Sequence, residues 1–317
     1  MIRLTIICLV IALSNGAHVK LNNTDLEELR ISVSESKEYL KNLSVNEDSA
    51  VFFGNDKAGK STLINYLIGT QLKGVKELYN RTRIVKANSN SSGPEINAKS
   101  TLNIRKPTKW ISKKLPNLTL WETTPCIIKD LDKVKFITNE IYIHQLVKSV
   151  KSLKIILVVD FTDIKDSDDI NLFTTLIDYV ANIFGNRFEE YFPAVSVIFT
   201  KVPEYVQETR VNYETIKVTL ESYLELNKAQ NSEVSINFIR YLLDNEDRIA
   251  LFKRLNDEGN VTSKINVNIF PTINNSRSIK ENCLQEIRLS NAASNVALFD
   301  SSTIKEILLE EDKKNKS

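Results

Sequence analysis

The sequence predicts an α/β protein built on a doubly wound, mostly parallel sheet, with helical additions before and after it. Short apolar runs typical of buried strands alternate with stretches of helical periodicity along the 317 residues. One run, residues 155–159, has no polar interruption, as expected of a strand that is covered on both faces. The composition, 42% hydrophobic and 26% charged, is that of an ordinary globular domain.

Residues 1–17 differ from the rest of the chain and predict a cleaved signal peptide. A positive start at Arg3 and an apolar run over residues 4–13 precede small residues, with cleavage expected after Gly16 or Ala17. A buried first strand is the alternative. The run is too short to span a bilayer, and no later stretch is apolar enough to do so. We therefore expect a secreted or vesicle-associated protein with no transmembrane segment after the signal.

The rest of the chain divides into three predicted parts. Residues 18–45 contain an N-terminal helix, which opens on the capping-box spacing of Thr24 to Glu27. Residues 46–272 form the main domain, and residues 273–317 form a polar tail with one helix near 303–309. Within the domain, the predicted strands are 50–53, 118–121, 155–159, 194–199 and 265–270. The predicted helices are 60–68, 139–152, 168–184, 211–227 and 235–255, and residues 86–107 are predicted to be a loop.

A phosphate-binding loop is the strongest motif in the sequence. It matches G-x-x-x-x-G-K-[ST] in full, follows a predicted strand and opens a helix, which is the context that this motif requires. Its residues are Gly54, Asn55, Asp56, Lys57, Ala58, Gly59, Lys60 and Ser61, with Thr62 next. The backbone N–H groups of such a loop meet phosphate oxygens at a helix N-terminus. We expect the lysine to reach the β- and γ-phosphates and the serine hydroxyl to ligate Mg²⁺.

From Gly54 through the helix that follows Thr62, the chain resembles the G domains of the septin, AIG1 (IAN) and dynamin-like class of GTPases. The resemblance covers roughly residues 46–272. It implies a nucleotide switch that binds GTP with Mg²⁺, ATP being the alternative nucleotide. It also implies a homodimer through the G domain, or a protein partner that the sequence does not identify.

The resemblance also implies metal-binding groups in two later motifs. A threonine of the first switch loop closes over Mg²⁺ in this class, and Thr101 is the candidate here, with Ser100 as the fallback. The next motif would be Asp-x-Pro-Gly, but this chain places Glu122 one position too early and Cys126 where the glycine is expected. Glu122 is therefore the candidate for the water shell of the metal, against a plain carboxylate at a strand end.

The base-reading motif is incomplete. The class has Asn/Thr-Lys-x-Asp after a strand, and this chain keeps Thr200 and Lys201 but has Pro203 in place of the aspartate. Thr200 and Lys201 remain candidate nucleotide contacts, and Glu204 is a candidate substitute for the lost acceptor. We expect weak selectivity for guanine, because losing a bidentate acceptor costs roughly a few kcal/mol of discrimination.

No residue that would orient an attacking water is evident. Ile127 and Ile128 stand where some relatives have glutamine, and His144 is interpreted as structural. Asp160 and Asp163 are interpreted as caps of the turn that follows their strand. The sequence thus leaves open whether the protein is an enzyme. A GTPase of low intrinsic activity, dependent on a partner's arginine or a dimer interface, is the activity that it would support.

Two other functions compete with the switch. The drift of the later motifs favours a degenerate G domain that works as a secreted interaction or effector module with weak or ATP-tolerant binding. A kinase-like P-loop enzyme is less favoured, since no lid segment is recognisable. The net charge of +2 gives no basic field for nucleic acid, and we expect no nucleic-acid partner.

Cysteines and glycosylation sequons leave the compartment undecided. Cys126 and Cys283 remain after the signal, and a bridge between them is left open. Eight Asn-x-Ser/Thr sequons occur, where roughly five are expected by chance. Their number alone therefore does not indicate glycosylation. They begin at Asn22, Asn42, Asn80, Asn90, Asn117, Asn260, Asn274 and Asn315.

Overall fold

The computed structural model of the protein describes residues 22–43, 45–77, 82–96, 106–126, 133–165, 172–227 and 231–287. The predicted signal peptide, the switch candidates Thr101 and Ser100, and the predicted helix near residues 303–309 lie outside the described residues.

In chain order the strands are β1 (Asp48–Phe53), β2 (Leu72–Lys76), β3 (Thr82–Lys86), β4 (Thr108–Ile111), β5 (Thr119–Glu122), β6 (Ser152–Asp160), β7 (Val195–Val202), β8 (Tyr205–Val206), β9 (Thr209–Arg210), β10 (Ile249–Lys253), β11 (Gly259–Asn260), β12 (Asn266–Val267) and β13 (Ile279–Lys280). The helices are α1 (Asn23–Asn42), α2 (Lys60–Ile68), α3 (Lys133–Ser149), α4 (Thr162–Lys165), α5 (Leu172–Phe184), α6 (Tyr213–Asn227), α7 (Glu233–Asp244), α8 (Ile269–Asn275) and α9 (Glu281–Gln285). Short 3₁₀ segments are Gly185–Ala194, Glu246–Arg248 and Ser263–Ile265.

The central sheet confirms the predicted fold class. Its strand order is β12–β10–β7–β6–β1–β5–β4, and β13 pairs with the beginning of β6. The five strands β10, β7, β6, β1 and β5 run parallel to one another, while β4, β12 and β13 are antiparallel to their neighbours. Because all five parallel strands end at the same edge, the loops that follow them meet there.

Both faces of the sheet are covered, as its continuous apolar strands require. Alternate residues of β1 point to opposite faces, so that Val51 and Phe53 belong to one apolar cluster and Ala50 and Phe52 to the other. Helices α3, α5 and α7 contribute to the first cluster, and α2 and α8 to the second. The phosphate loop therefore projects from the end of a strand that the core holds on both sides.

Two segments differ from the sequence prediction. Residues 249–253, predicted as the end of a helix, form β10 beside β7. A short apolar run carries no periodicity that separates a buried strand from a buried helix, which is why the prediction was wrong. Residues 265–270, predicted as a strand, supply only the two-residue β12, and α8 then begins. Pro271 lies in the first turn of α8, where a helix tolerates proline.

The N-terminal helix α1 begins earlier than its predicted capping box. Asn22 is the N-cap, and its side chain accepts a hydrogen bond of 2.9 Å from the backbone N–H of Asp25, whose carboxylate accepts one from the backbone N–H of Asn22. The helix packs against α3. None of the helices in the described ranges combines the length and apolarity needed to cross a membrane.

The described part of the predicted tail, residues 273–287, packs on the domain. Its strand β13 pairs with β6, and Leu284 and Ile287 are buried in the larger apolar cluster. Outside the central sheet, β2, β3 and β11 form a three-stranded antiparallel sheet that the sequence did not predict. These strands are short and half exposed, so they lack the apolar runs by which buried strands are recognised.

Candidate nucleotide site

The loop between β1 and α2 has the backbone that a phosphate-binding loop requires. A Cβ atom added to Gly54 would lie 2.4 Å from the carbonyl oxygen of Val158, so only glycine lets the loop pass this close to β6. Lys57 and Gly59 both have left-handed backbones, with φ angles of 59° and 98°. Such reversals let successive N–H groups converge on an anion. The loop thus curves around the N-terminus of α2.

Lys60 lies over this loop, as the motif predicts. Its side chain is buried, and its Nζ donates hydrogen bonds to the carbonyl oxygens of Gly54, at 2.7 Å, and Asn55, at 2.9 Å. The ammonium is thereby held over the loop, where its charge would add to the attraction of the backbone N–H groups for a phosphate.

The first turn of α2 faces the same loop. The N–H groups of Lys60, Ser61 and Thr62 have no acceptor within the helix, because they belong to its first turn. Gly59, the N-cap, supplies no side chain to occupy them. The positive end of the helix dipole adds to the attraction for an anion.

Ser61 and Glu122 are brought together at the edge of the sheet. The Ser61 hydroxyl donates a hydrogen bond of 2.5 Å to Oε1 of Glu122, the last residue of β5, which lies beside Phe52 of β1. Although Glu122 comes one position early in the sequence, its side chain therefore reaches the motif serine. A hydroxyl and a carboxylate are oxygen ligands of the kind that Mg²⁺ prefers, so these two residues fit a magnesium ion beside a bound phosphate.

Cys126 lies at the position where the resemblance implies a glycine. Its backbone N–H donates to the carbonyl of Gly54 at 3.2 Å, which ties the turn after β5 to the phosphate loop. Its side chain is buried, and burial raises the pKa of the thiol to about 12. The thiol is therefore neutral and unreactive at physiological pH. Cys126 and Cys283 are both free thiols, so the bridge that the sequence left open is not present.

Thr200, near the end of β7, connects the segment with the incomplete base-reading motif to the phosphate loop. Its hydroxyl lies 2.5 Å from the carbonyl oxygen of Ala58 and 3.2 Å from that of Val159. A Cβ atom added to Gly59 would lie 3.5 Å from the Thr200 side chain. The threonine of the incomplete motif thus positions the phosphate loop, a contact that the sequence alone does not reveal.

Lys201 lies at the same edge and pairs with Asp160. Its Nζ is 2.6 Å from Oδ2 of Asp160, and its side chain is 49% exposed, against 16% for the aspartate. Oδ1 of Asp160 accepts hydrogen bonds from the backbone N–H and the hydroxyl of Thr162. The predicted capping role of Asp160 is confirmed, and the contact with Lys201 is an additional one. A carboxylate at the end of the central strand β6 was the signal for it.

Beyond Lys201 the structure offers no substitute for the missing aspartate at its own position. Pro203 has no side-chain acceptor. Glu204 is partly exposed, and its backbone carbonyl accepts a 2.9 Å hydrogen bond from Val211, which closes the turn that carries β8 and β9. Asp160 is the carboxylate that contacts Lys201 in this part of the described structure.

His144 lies away from the site. It is buried on α3, and its Nε2 is 3.3 Å from the backbone carbonyl oxygen of Ile287, so it joins α3 to the C-terminal segment as a structural residue.

A buried pair of polar side chains was not predicted from the sequence. The hydroxyl of Tyr179 on α5 donates a hydrogen bond to the carboxylate of Glu140 on α3. Burial and this carboxylate raise the pKa of Tyr179 well above its ordinary value. Glu140 also raises the pKa of Cys126, whose thiol lies near it.

Neither a family model nor a curated protein sequence matches this chain. Among solved structures, the chain is similar to a dimerization-deficient mutant of Toc33 from Arabidopsis thaliana, with 12% identity, 88% of this chain and 91% of that chain covered, and a TM-score of 0.40. It is also similar to Toc33 from Arabidopsis thaliana in complex with Mg²⁺ and GMPPNP, with 14% identity, 84% of this chain and 92% of that chain covered, and a TM-score of 0.38. A third similar structure is a mutant NFeoB from S. thermophilus bound to GDP, with 11% identity, 83% of this chain and 99% of that chain covered, and a TM-score of 0.25.

Likenesses at these identities and TM-scores carry no argument about function. The mostly parallel sheet and the glycine-bounded loop after β1 are by themselves those of a P-loop nucleotide-binding fold. The septin, AIG1 (IAN) and dynamin-like class is not singled out among proteins of this fold.

Proposed function

We propose that the protein binds a Mg²⁺–nucleoside triphosphate in the loop 54–61 and acts as a nucleotide switch. The observation that carries the proposal is the placement of Ser61 against Glu122 beside the buried Lys60, which puts oxygen groups suited to Mg²⁺ next to an ammonium suited to phosphate. Phosphate oxygens would meet the N–H groups of the loop and the ammonium of Lys60. Ser61 would ligate the metal, and Glu122 would hold its water shell.

GTP is the proposed nucleotide, with weak discrimination against ATP. The chain keeps the Thr200–Lys201 pair of the base-reading motif, and the Toc33 complex and the NFeoB structure named above contain a guanine nucleotide or an analogue of one. The missing acceptor at Pro203 argues for weak selectivity. Equilibrium dialysis of the mature chain against a non-hydrolysable GTP analogue, with and without Mg²⁺, tests the proposal. Binding that requires Mg²⁺ is expected, and no binding at millimolar nucleotide would overturn it.

Hydrolysis by the isolated protein is proposed to be slow. The described part of the site holds Cys126 in a buried, neutral state and presents no general base beside Ser61 other than Glu122, which the metal would engage. A homodimer through the G domain would supply a missing group. Single-turnover assays at several protein concentrations test this. A rate that rises with concentration supports the dimer, and a fast, concentration-independent rate contradicts slow intrinsic turnover.

A second candidate function rests on Cys126 and Pro203. In the switch class, a glycine at the position of Cys126 contacts the γ-phosphate, and an aspartate at the position of Pro203 contacts the base. A secreted interaction module that keeps nucleotide for structural reasons would tolerate both changes. It predicts the same surface and the same partner binding with and without nucleotide, whereas a switch predicts that partner binding differs between diphosphate and triphosphate.

Entry into the secretory pathway is part of the proposal. It is supported by the charge, the apolar run and the small residues of positions 1–17. Expression of the full chain in animal cells, followed by N-terminal sequencing of protein in the medium, tests it. A mature N-terminus at Ala17 or His18 is expected, and an intracellular chain that keeps Met1 would contradict it.

A further inference from the structure

The glycosylation sequons are informative in their placement although not in their number. Of the eight sequon asparagines, Asn80 and Asn315 lie outside the described residues, and the other six are all exposed, as are several asparagines outside sequons, Asn88 and Asn275 among them. Every described sequon thus presents its side chain to solvent, which a bulky modification requires.

Three of these asparagines lie at the edge of the sheet where the parallel strands begin. Asn42 ends α1 shortly before β1, and Asn117 lies in the exposed turn just before β5. Asn274 lies near the start of β6, because its carbonyl oxygen accepts a hydrogen bond of 2.8 Å from Lys154, the third residue of that strand. The phosphate loop follows the carboxyl end of β1, so it lies at the opposite edge.

Two more lie at the same edge, next to the end of α2. This helix starts at the phosphate loop and runs away from it. Asn260 of β11 pairs with Lys73 of β2, which follows the helix. Asn90 lies in the turn whose Ser92 carbonyl accepts a 2.9 Å hydrogen bond from the hydroxyl of Thr70. We call the edge defined by Asn42, Asn90, Asn117, Asn260 and Asn274 the distal edge.

We propose that asparagines of the distal edge carry N-linked glycans, and that the opposite edge, which holds the phosphate loop, carries none. The inference rests on the proposed entry into the secretory pathway. In the reaction, the side-chain amide nitrogen attacks the anomeric carbon of a lipid-pyrophosphate-linked oligosaccharide. A C–N bond forms, the C–O bond to the pyrophosphate breaks, and the amide loses one proton as the lipid pyrophosphate leaves.

The structure accommodates this modification without a loss of contacts. Within the described part of the chain, no side-chain hydrogen bond engages the amides of the five distal-edge asparagines. Asn22 differs, because its side chain caps α1 at the other end of that helix. Glycans at the distal edge project away from the loop 54–61, and nucleotide affinity is therefore unchanged by them.

The test is to express the full chain with its own N-terminus in animal cells and to map glycans by mass spectrometry. Treatment with a peptide-N-glycosidase in ¹⁸O water converts each occupied asparagine to labelled aspartate. The adjacent exposed pair Asn274 and Asn275 gives a matched control, since only Asn274 begins a sequon. Asn274→Gln is expected to remove one glycan, and Asn275→Gln to remove none.

Secreted protein with glycans at distal-edge asparagines, and with the same affinity for the GTP analogue before and after their removal, is the expected result. A secreted, leader-cleaved chain with no glycan at these positions overturns the inference and leaves the proposed routing intact. Glycans confined to Asn22, Asn80 or Asn315 overturn it as well. A chain that keeps residues 1–17 inside the cell, without glycans, overturns both the inference and the routing.

Discussion

Two parts of the candidate nucleotide site differ in how fully they match the motifs of the GTPase class. We call the loop 54–61 with Glu122 the phosphate side, and residues 200–204 the base side. On the phosphate side, Lys60 is buried over the loop, and Ser61 is held against Glu122. On the base side, Thr200 still fixes the phosphate loop, but Lys201 is half exposed and no acceptor follows it at Pro203. Under the proposed function, this difference predicts that binding energy comes from the triphosphate and the metal, while recognition of the base is weak.

The largest expected effect is on the phosphate side. Lys60→Ala removes the charge that neutralises the phosphates, and we expect the affinity for Mg²⁺–GTP analogue to fall about 100-fold or more, on the order of 3 kcal/mol. Calorimetric titration measures it. Lys113→Ala, an exposed lysine in the loop before β5, is the matched control and should bind as the wild type does. Equal affinity of the Lys60→Ala and Lys113→Ala variants would rule out this loop as the site.

A gain of function tests the base side. Pro203→Asp restores the Thr-Lys-x-Asp spacing, and a bidentate acceptor should raise the preference for GTP over ATP by about tenfold or more. Pro203→Ala controls for the loss of the proline ring and should leave the preference unchanged. Competition of a labelled GTP analogue by ATP reports both. If Pro203→Asp leaves the ratio unchanged, the base does not lie beside this turn.

The metal contact is a smaller effect on the phosphate side. Glu122→Gln keeps a hydrogen-bond acceptor for Ser61 but removes the negative charge, and we expect the enhancement of binding by Mg²⁺ to fall roughly fivefold, about 1 kcal/mol. Affinity measured in EDTA should not change. Glu221→Gln, exposed on α6, is the control. A loss of the same size with and without the metal would assign Glu122 a structural role only.

The last effect is on stability rather than on binding and concerns the buried turn that joins the phosphate side to β5. Folding raises the pKa of Cys126 from 9.0 to about 12, so the folded state favours the neutral thiol. The stability that the neutral thiol of Cys126 contributes to the folded state is present below pH 9 and is lost as the pH rises from 9 to 12. Urea unfolding at pH 8 and pH 10.5 should show a smaller loss of stability for Cys126→Ala than for the wild type. An identical loss in both proteins would show that the thiol titrates normally.

The sequence predicted the phosphate side better than the base side for a physical reason. The loop 54–61 is local, so its residue types and spacing specify its backbone. The contact of Ser61 with Glu122, by contrast, depends on the pairing of β1 with β5, and the contact of Lys201 with Asp160 on the pairing of β6 with β7. Strand register is set by the whole core. The sequence could name Glu122 as a candidate but could not place its carboxylate.

The fold shows the same division. Strands with continuous apolar runs, such as residues 155–159, were predicted, and the doubly wound class is confirmed by their parallel pairing. The strand β10 was missed because its five residues follow a helix closely and share its apolar character. The small sheet of β2, β3 and β11 was missed because its stability comes from partners distant in sequence.

The affinities of the wild-type protein for Mg²⁺–GTP and Mg²⁺–ATP analogues, measured by calorimetry under one set of conditions, test the central claim most directly. Binding through the triphosphate and metal, with a weak contribution from the base, predicts that both nucleotides bind and that their dissociation constants agree within about tenfold. Binding of one nucleotide at least a thousandfold more tightly than the other, or of neither, would contradict it.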